Sequence, residues 1–483
     1  MTQTKVAVIG GGLAGITAAI ACADAGQSVT LFEARAHLGG RVSSVQHPRQ
    51  GVPIDNCQHA CFRVYSRFLQ LIGRCDAQDS FRLQERTILP FALPDSGQFA
   101  ELTTGKLSPP NHMLGSMLKF PFLSLKDKIR MNKAVKAIAK MTDEDIWSID
   151  SISFVDWLNN HGQTKQSIDR FWGFFVLAAL NIPIEQASAA QACMLFRNGL
   201  FGDADAFDVG IFTSDLTQSL DPLFTKAMQQ AGIEIQMSTN VKRIICNESE
   251  GLQAIETANG QVEFDKVIIA TPHRIAKRLL TSIEGDNQNE SLKQLCDNLG
   301  KLDYSALIGL HAFYDGERVP NSMKFATILD EPVIQMIFNK NTELDEESPI
   351  GKQWLSVPIS GANEFMKMSD EEILEEFDRV LLALWPKGAE VKRIEHLIVK
   401  TPKATFAPTP DSAKLRPGAD AVSDSVILAG DWTMTEWPST MEGAVRSGLK
   451  AAAVSLGKEY NPNDDWSTWP SAPKRGEKSW RTW

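Results

Sequence analysis

The beginning of the chain shows an apolar run, a glycine cluster, a small-residue stretch and a second apolar run. Residues 5–9 (KVAVI) are long enough for a short buried strand, and the glycines after them predict a turn. Residues 13–25 are rich in alanine and are followed by Gly26, which is typical of a helix that ends at a glycine. The run SVTLFEA at 28–34 predicts a second strand. This order predicts a βαβ unit.

Later parts of the chain repeat this apolar pattern. Segments 233–246 and 261–272 predict strands, and 425–432 predicts a strand followed by a small-residue helix. Because these sheet-forming pieces are separated by long insertions, we expect an α/β fold with one discontinuous Rossmann-like domain. The nucleotide-binding domain is predicted to consist of residues 1–75, 210–280 and 418–460.

The insertions predict a second, α+β domain that binds the substrate. It is expected to combine residues 76–209, whose pattern is mostly helical, with residues 281–417, which contain strand candidates such as YSALIGLHAFY. Residues 461–483 are rich in Pro, Trp, Ser and charge and show no periodicity. They are predicted to form a loosely ordered C-terminal tail whose tryptophans dock on the body.

Composition and charge narrow the class of protein. The 483 residues are 43% apolar and 22% charged, which is ordinary for a globular protein with a sizeable core. The net charge of −10 argues against general nucleic-acid binding, because phosphate neutralisation needs an excess of Lys and Arg. The seven cysteines do not suggest a disulfide framework in a chain this long, so a cytoplasmic location is expected. The apolar run at 171–180 is half of the ~20 residues that span a bilayer, so no transmembrane helix is predicted.

The glycine cluster GGGLAG fits a dinucleotide-binding fingerprint. Gly10, Gly12 and Gly15 have the spacing GxGxxG, in which the glycines permit a tight turn, approach of a pyrophosphate and close packing of helix on strand. Leu13 and Ala14 are the first two residues of the predicted helix. The positive end of the helix dipole would lie there and favour binding of the phosphates. The context of a strand before the glycines and a helix after them predicts nucleotide binding.

The stretch EARAHLGGRV at 33–42 identifies the nucleotide more closely. Glu33 and Ala34 end the second strand, where a carboxylate accepts hydrogen bonds from ribose hydroxyls and disfavours a 2′-phosphate, which predicts FAD or NAD. The stretch resembles the extended signature of the flavin-dependent amine oxidase and phytoene desaturase superfamily. The resemblance implies that Gly39, Gly40 and Arg41 lie along the FAD pyrophosphate and flavin.

Two further segments resemble the same superfamily. In LAGDW at 428–432, Gly430 and Asp431 match its closing motif, which implies a contact with the ribityl or phosphate part of FAD. Val241 lies where the superfamily holds adenine with backbone atoms. The helix that follows the closing motif would direct its dipole at the flavin. Its cofactor-binding candidates are Met441, Glu442 and Ala444.

Other motifs resemble one branch, the squalene-associated FAD-dependent desaturases, better described as hydroxysqualene dehydroxylases. They are DNCQH at 55–59, FWGFFVLAALN at 171–181 and GDWTMTEWPSTMEGAVRSG at 430–448. The resemblance implies reductive removal of the hydroxyl group of hydroxysqualene to give squalene, a step of squalene and hopanoid biosynthesis. Alternatives are a carotenoid-type desaturase of the same fold, an amine oxidase, and a flavin-free carrier of prenyl lipids. An amine oxidase is disfavoured because ATFAPTP at 404–410 offers no aromatic pair.

The segment PIDNCQHACF at 53–62 contains the candidate catalytic residues Cys57, Gln58 and His59. Its Cys and His alternate, but the sequence offers no second cluster of ligands, so no metal site is predicted. A disulfide between Cys57 and Cys61 is disfavoured because residues four apart on a strand are too distant. Protonation of a leaving hydroxyl needs an acid, for which His59 is the first candidate on pKa grounds and a buried carboxylic acid is the rival. His59 as a hydrogen-bonded core residue is the alternative.

The aromatic run 171–177 is a candidate lining for a long apolar substrate cavity. The run ends near polar Asn181, which is the fourth catalytic candidate. A plain core helix explains the same pattern equally well. No second nucleotide fingerprint is visible, so the electron donor is left open between NAD(P)H and a separate reductase.

The region 112–141 is a candidate for contact with the inner face of the cytoplasmic membrane. A helix capped at Ser124 would place basic residues on one face and apolar residues on another, and MLKFPFL at 117–123 precedes it. Such a helix could lie on anionic lipid, or it could be a solvated surface helix. The basic residues are Lys126, Arg130 and Lys133, and the apolar residues are Met131, Ala134, Val135 and Ile138.

Overall fold

The computed structural model describes residues 3–247, 251–283, 290–461 and 469–483. Its strands are β1 (Lys5–Ile9), β2 (Ser28–Phe32), β3 (Ser44–Gln46), β4 (Pro53–Asp55), β5 (Ala60–Phe62), β6 (Phe81–Leu83), β7 (Ile88–Leu93), β8 (Gln98–Thr103), β9 (Val209–Phe212), β10 (Glu234–Gln236), β11 (Arg243–Asn247), β12 (Gly251–Thr257), β13 (Gly260–Glu263), β14 (Lys266–Ile269), β15 (Tyr304–Tyr314), β16 (Phe325–Ile328), β17 (Met336–Asn339), β18 (Gln353–Ser360), β19 (Arg393–Phe406), β20 (Val426–Leu428) and β21 (Arg481–Thr482). Its helices are α1 (Leu13–Asp24), α2 (Ser66–Arg74), α3 (Leu114–Lys119), α4 (Leu125–Ile138), α5 (Asp143–Ser148), α6 (Phe154–Asn160), α7 (Lys165–Ser167), α8 (Gly173–Leu180), α9 (Ala189–Leu195), α10 (Leu216–Gln230), α11 (His273–Thr281), α12 (Glu290–Lys301), α13 (Asp370–Leu384) and α14 (Met441–Ser455).

A five-stranded parallel sheet with the order β10-β2-β1-β14-β20 forms the first layer. Its strands come from all three segments of the predicted nucleotide-binding domain, 1–75, 210–280 and 418–460. Val6 and Val8 of β1 pack in the core that contains α1 and α14, whereas Ala7 and Ile9 pack in the core that contains α11 and α12. Because both faces of β1 are covered, its sequence is a continuous apolar run rather than an alternating one.

The helices α1 and α14 cross closely against this sheet. A Cβ atom on Gly448 of α14 would lie 2.4 Å from the carbonyl oxygen of Ala14, so a side chain at this position would separate the helices. The third glycine of the fingerprint has a similar role, since a Cβ on Gly15 would lie 1.8 Å from the carbonyl oxygen of Gly10. The predicted βαβ unit is confirmed, with parallel pairing of β1 and β2.

A seven-stranded sheet with the order β19-β15-β18-β17-β16-β7-β8 forms the second layer. The pairs within it are antiparallel except for β16 and β7. The core on one side contains α13, whose buried residues include Phe377 and Leu381. The helices α3 to α9 lie between β8 and β9 in the chain, in agreement with the helical pattern of 76–209, but residues 81–103 of that region form β6, β7 and β8 instead. The chain therefore has a mixed α/β fold, with a Rossmann-like parallel sheet and additional sheets.

Two predicted strands are each divided in the structure. Segment 233–246 contains β10, which joins the parallel sheet, and most of β11, which belongs to a separate sheet with the order β11-β12-β13. Segment 261–272 contains most of β13 and all of β14, which lie in the same two sheets. The apolar pattern predicted strand residues but not the turns between them, because partner choice depends on the rest of the sheet.

The described part of the predicted loose tail, 469–483, packs on the body. Trp469 donates a hydrogen bond from Nε1 to Asp24 Oδ2 at 2.9 Å, and Trp480 packs edge-on against Phe81 with ring centroids 6.2 Å apart. Strand β21 pairs in parallel with β6. The docking of the tryptophans agrees with the expectation from sequence, whereas the paired strand β21 differs from the loosely ordered extension expected from composition. Among the described residues, no helix has both the length and the apolar character needed to cross a bilayer.

Candidate active site

A cavity of about 680 Å³ lies between the carboxyl ends of the parallel strands and the seven-stranded sheet. Ligands of open parallel sheets bind at this edge, where the strands end in loops. The structure brings nearly all predicted site residues to its wall. These are Gly10, Gly12, Leu13, Ala14, Glu33, Ala34, Gly39, Gly40, Arg41, Cys57, Gln58, His59, Asn181, Val241, Gly430, Asp431, Met441 and Ala444. Gly15 and Glu442 do not line it.

Backbone glycines form the nucleotide end of the cavity. Gly10 has a φ of +109°, and a Cβ on it would lie 2.7 Å from the carbonyl oxygen of Ala270. By contrast, a Cβ on Gly12 would meet no described atom closer than 3.9 Å, so Gly12 faces open space in front of α1. This arrangement leaves room for a pyrophosphate against the backbone at the helix N-terminus.

Glu33 is held at the end of β2 by backbone hydrogen bonds. Its Oε2 accepts from the N–H of Gly11 at 2.6 Å, and its Oε1 accepts from the N–H of Arg35 at 2.7 Å. The carboxylate therefore has a set orientation at the cavity wall, and each oxygen keeps a second lone pair. This geometry fits an acceptor for ribose hydroxyl groups.

The loop Gly39–Gly40–Arg41 lies directly on the glycine-rich turn. The N–H of Gly39 donates to the carbonyl oxygen of Gly11 at 2.9 Å, and a Cβ on Gly40 would lie 2.9 Å from Gly12 Cα. Both Gly39 and Gly40 have positive φ, which L side chains rarely adopt. The two motifs, separated in sequence, thus form one backbone surface.

An ion pair joins this loop to the closing motif. Arg41 Nη2 lies 2.5 Å from Asp431 Oδ1, and Ser439 Oγ donates to the other carboxylate oxygen. Burial disfavours both charges, but their mutual attraction outweighs it, so the pKa of Asp431 is lowered and that of Arg41 is raised. Both side chains are therefore charged at neutral pH.

Glu442 turns away from the cavity, in contrast to its prediction as a cofactor contact. Its Oε2 accepts from the N–H of Phe68 at 2.9 Å, near the start of α2, and its Oε1 accepts from Arg446 Nε at 2.7 Å. The side chain is fully buried. Glu442 caps a neighbouring helix because negative charge is favourable at a helix N-terminus.

The segment DNCQH crosses the seven-stranded sheet at Gly309 of β15. A Cβ at Gly309 would lie 2.7 Å from the carbonyl oxygen of Asn56 and 3.1 Å from Cys57 Cα. The missing side chain lets the segment rest on the sheet and present Gln58 and His59 to the cavity. The role of Gly309 is visible only in the folded structure, because a glycine within a strand has no local signature of a crossing chain.

The imidazole of His59 is neutral near pH 7. Its Nδ1 lies 2.9 Å from the carbonyl oxygen of Cys57, and since a carbonyl can only accept, Nδ1 carries the hydrogen. Burial, opposed by this hydrogen bond, lowers the pKa of His59 to about 4, and the positive charge of Lys340 contributes to the decrease. Burial of the ring, with a smaller contribution from cationic neighbours, therefore places the pKa of His59 below the range best suited to an acid at neutral pH, and the role of His59 as the acid stays a prediction.

The cysteines of this segment are buried free thiols. Burial raises the pKa of Cys57 to about 12 and raises that of Cys61 well above its usual range. Neither is a thiolate near neutral pH, and reactive cysteines require the thiolate. Within the described ranges, no cluster of three or more His, Cys, Asp or Glu is arranged to hold a metal ion.

A buried charge cluster behind Gln58 was not predicted. Lys340 Nζ lies 2.8 Å from Glu343 Oε2 and 3.9 Å from Asp55 Oδ2, and all three side chains are at most 4% exposed. Gln58 Nε2 donates to both oxygens of Glu343, at 3.3 and 3.0 Å. The cluster therefore fixes the amide of Gln58 at the cavity wall. In the sequence, Lys340 and Glu343 belong to the polar stretch NKNTELDEE, which resembles a solvated turn.

Asn181 lines the cavity, but its amide is engaged in structural bonds. The residue ends α8 with a φ of +54°. Its Oδ1 accepts from the N–H of Gly361 at 2.8 Å, and its Nδ2 donates to Thr405 Oγ1 at 3.0 Å. These bonds join α8 to the seven-stranded sheet. The geometry supports a structural role rather than the predicted catalytic one.

The predicted aromatic lining is divided between cavity and core. Phe174, Phe175 and Leu177 line the cavity, whereas Phe171 and Trp172 are buried in the surrounding core. The two alternatives from the sequence therefore each apply to part of the run. A helix presents one face to a cavity and another to the core, so a uniformly apolar run cannot show which residues face which.

Comparisons with known proteins give the context of this site. The family model described as flavin containing amine oxidoreductase matches residues 13–455. The chain is 25% identical over 455 residues to hydroxysqualene dehydroxylase of Zymomonas mobilis subsp. mobilis, covering 93% of this chain and 98% of that protein. It is 23% identical over 467 residues to 15-cis-phytoene desaturase of Narcissus pseudonarcissus, covering 94% of this chain and 80% of that protein.

The fold is similar to that of putrescine oxidase. The TM-score is 0.71 with 20% sequence identity, and the match covers 95% of this chain and 100% of the solved one. The family match and the cavity geometry agree on the cofactor, which is FAD. Gly12 leaves space for the pyrophosphate, Glu33 fits the ribose, and Arg41 and Asp431 line the same cavity.

Proposed function

Because the chain belongs to the flavin containing amine oxidoreductase family, we propose that it is an FAD-dependent oxidoreductase that converts hydroxysqualene to squalene. The observation that carries this proposal is the arrangement of the cavity. Apolar side chains line one part of it, and the polar DNCQH segment lies at the wall together with Arg41 and Gly40. A long hydrocarbon with one hydroxyl group is complementary to such a site. The similarity to the Zymomonas dehydroxylase over almost the whole of both chains supports the same function.

The reaction exchanges a carbon–oxygen bond for a carbon–hydrogen bond. Reduced FAD, when bound, supplies the hydride, and the hydroxyl group leaves as water after receiving a proton. An allylic hydroxyl favours this reaction because positive charge on carbon is delocalised. The protein must orient the substrate, exclude water and place a proton donor at the hydroxyl.

His59 is the proposed proton donor. With Nδ1 bonded to the carbonyl oxygen of Cys57, the other ring nitrogen, Nε2, would exchange the proton with a substrate hydroxyl. Since the pKa of His59 is about 4, its charged form amounts to about one molecule in a thousand at pH 7. The rate of the step should therefore rise as the pH falls. Gln58, oriented by Glu343, would hold the hydroxyl beside His59.

The experiment that tests this function is anaerobic. The FAD-loaded protein is reduced with dithionite and mixed with hydroxysqualene, and reoxidation of the flavin is followed by absorbance while squalene is quantified. We expect one squalene for each flavin reoxidised. A flavin that stays reduced with substrate present would contradict the proposal.

A carotenoid-type desaturase is the second candidate. The similarity to phytoene desaturase of Narcissus covers as much of this chain as the similarity to the dehydroxylase does. Such an enzyme would oxidise a polyene precursor, so the oxidised protein would be reduced by phytoene in the same apparatus. Flavin bleaching with phytoene, and no reoxidation with hydroxysqualene, would favour this candidate. The electron donor for either direction is proposed to be NAD(P)H or a separate reductase.

A further inference from the structure

Helices α3 and α4 expose an unusual amount of aliphatic surface. Leu114, Leu118, Leu125 and Ile129 are 42%, 56%, 66% and 59% exposed. They make up four of the ten large hydrophobic side chains that are exposed in the described chain, yet they lie within sixteen residues. We call these four side chains the α3–α4 patch. Concentrated apolar exposure of this kind marks an interaction surface, whereas scattered exposure does not.

The patch is a property of the two helices together. Leu114 and Leu118 are one turn apart on α3, and Leu125 and Ile129 are one turn apart on α4, so each pair shares a face. Lys128 Nζ of α4 donates to the carbonyl oxygen of Leu118 at 3.0 Å and ties the helices together. The patch therefore has a defined geometry.

The sequence pattern of α4 predicts a different apolar face. The cap at Ser124 is confirmed, but Met131, Ala134 and Ile138 are buried against the protein core. These residues hold the helix in place and are not accessible to a partner. The available apolar surface lies at the start of α4 and on α3, which the periodicity of α4 alone could not indicate.

The segment of chain that carries the patch is rich in positive charge. Residues 104–141 contain eight Lys or Arg and one acidic residue, Asp127, in a chain whose net charge is −10. Asp127 is buried, and its Oδ1 accepts from Thr164 Oγ1 at 2.5 Å, while Oδ2 bonds to Ser124 in the helix cap. Lys119, Lys126 and Lys133 are exposed. The segment thus presents basic side chains without an exposed carboxylate of its own.

The patch lies near a buried aromatic connection to the cavity. Phe120 follows α3 and packs edge-on against Phe91, with ring centroids 5.2 Å apart. Phe91 packs against Phe174 at 5.5 Å, and Phe174 lines the cavity. The protein interior between the patch and the cavity is therefore apolar along this line.

We propose that the α3–α4 patch binds the surface of an anionic lipid bilayer. The four aliphatic side chains would enter the interface, and the surrounding lysines would contact the headgroups. Charge complementarity favours anionic lipid, and exposed aliphatic groups distinguish this surface from one that binds a polyanion by charge alone. Binding through this patch would be an interaction additional to the proposed function.

The test is co-sedimentation of the FAD-loaded protein with vesicles. We expect binding to vesicles that contain phosphatidylglycerol and much weaker binding to pure phosphatidylcholine. The double variant Leu118→Ser/Leu125→Ser keeps every charge and should reduce the partition coefficient at least about tenfold, since two aliphatic side chains no longer enter the interface. Leu382→Ser on α13 is a matched control, because Leu382 is 54% exposed outside the patch, and it should bind like the wild type.

Two results would overturn the proposal. One is the absence of binding to phosphatidylglycerol vesicles at low ionic strength. The other is equal binding by the wild type and by Leu118→Ser/Leu125→Ser. Equal binding would show that the protein adsorbs to the vesicles through its charge alone, as it would to any polyanion. The assay requires no turnover, so its failure is distinct from failure of the proposed reaction. Dehydroxylation of detergent-dispersed substrate without vesicle binding would refute this inference and leave the proposed function intact.

Discussion

The two ends of the cavity are constructed differently. The nucleotide end consists mainly of backbone, brought together by the glycines of two motifs that lie near each other in the chain, 10–15 and 39–40. The end that holds the catalytic candidates consists of side chains whose supports come from distant parts of the chain, such as Gln58 held by Glu343. A backbone site depends on conformations that glycine permits, and these are visible in the sequence. A side-chain site depends on neighbours that only folding brings together.

The largest effect is expected at Gly15. A Cβ there would lie 1.8 Å from the carbonyl oxygen of Gly10, so Gly15→Val should separate α1 from β1 and abolish FAD retention. Flavin absorbance per protein after gel filtration measures this. Gly115→Ala is the control, since a Cβ on Gly115 meets nothing within 4 Å. A Gly15→Val variant with full flavin content would show that close packing of helix and strand is not required.

The next largest effect is expected in the buried charge cluster. Glu343→Gln leaves the ammonium group of Lys340 buried with Asp55 at 3.9 Å as its remaining carboxylate partner in an ion pair. We expect the free energy of unfolding to fall by about 3–5 kcal/mol, as for other broken buried ion pairs. Denaturant titration measures this change, and Glu346→Gln, at an exposed position of the same loop, is the control. Equal stability of the two variants would contradict a structural role for the pair.

The flavin content of Glu343→Gln tests whether the two ends of the cavity are independent. Because Glu343 contacts Gln58 and not the glycine-rich wall, the folded fraction of Glu343→Gln should retain FAD. Loss of flavin from well-folded protein would show that the two ends are coupled.

Removal of His59 should affect the reaction and not the cofactor. We expect His59→Ala to keep FAD and to lose about 100-fold in the single-turnover rate, the usual contribution of a proton donor. His396→Ala is the control, because His396 lies in β19 and does not line the cavity. A normal rate in flavin-loaded His59→Ala would remove His59 from the mechanism.

The pH profile provides a second measure of His59. With a pKa of about 4, the protonated fraction increases about tenfold for each unit between pH 7 and pH 5, so the rate should increase in proportion. The anaerobic single-turnover rate of wild type and His59→Ala is measured across this range, and the variant should lack the increase. Identical profiles would indicate that another group supplies the proton.

The smallest effect is expected for Cys57→Gly. The thiol is buried and protonated, with a pKa of about 12, so its chemistry is not available to the reaction. The variant should keep its flavin and a rate within about threefold of the wild type, since it removes one small buried group. A large loss of rate with intact flavin would assign a direct role to the sulfur.

The predictions made from sequence succeeded where a local pattern has one structural solution. The glycine spacing predicted the turn before α1, and the fold class followed from the order of strands and helices. Glu442 shows the limit, since its position at the start of α14 indicated a cofactor contact, but the side chain caps α2 instead. The direction of a side chain depends on which elements surround it, and this is a long-range property.

The sequence by itself determined that this chain has a Rossmann-like fold with a site for FAD, because these features rest on glycine conformations and apolar runs that act over short distances. Tertiary structure alone decided the environment of the catalytic candidates. It buried the imidazole of His59, close to Lys340, and so kept it neutral; it also engaged Asn181 in structural hydrogen bonds and turned the apolar face of α4 inward while exposing Leu125 and Ile129. Burial and charge at a residue are sums over neighbours from the whole chain, so they exist only once the chain has folded.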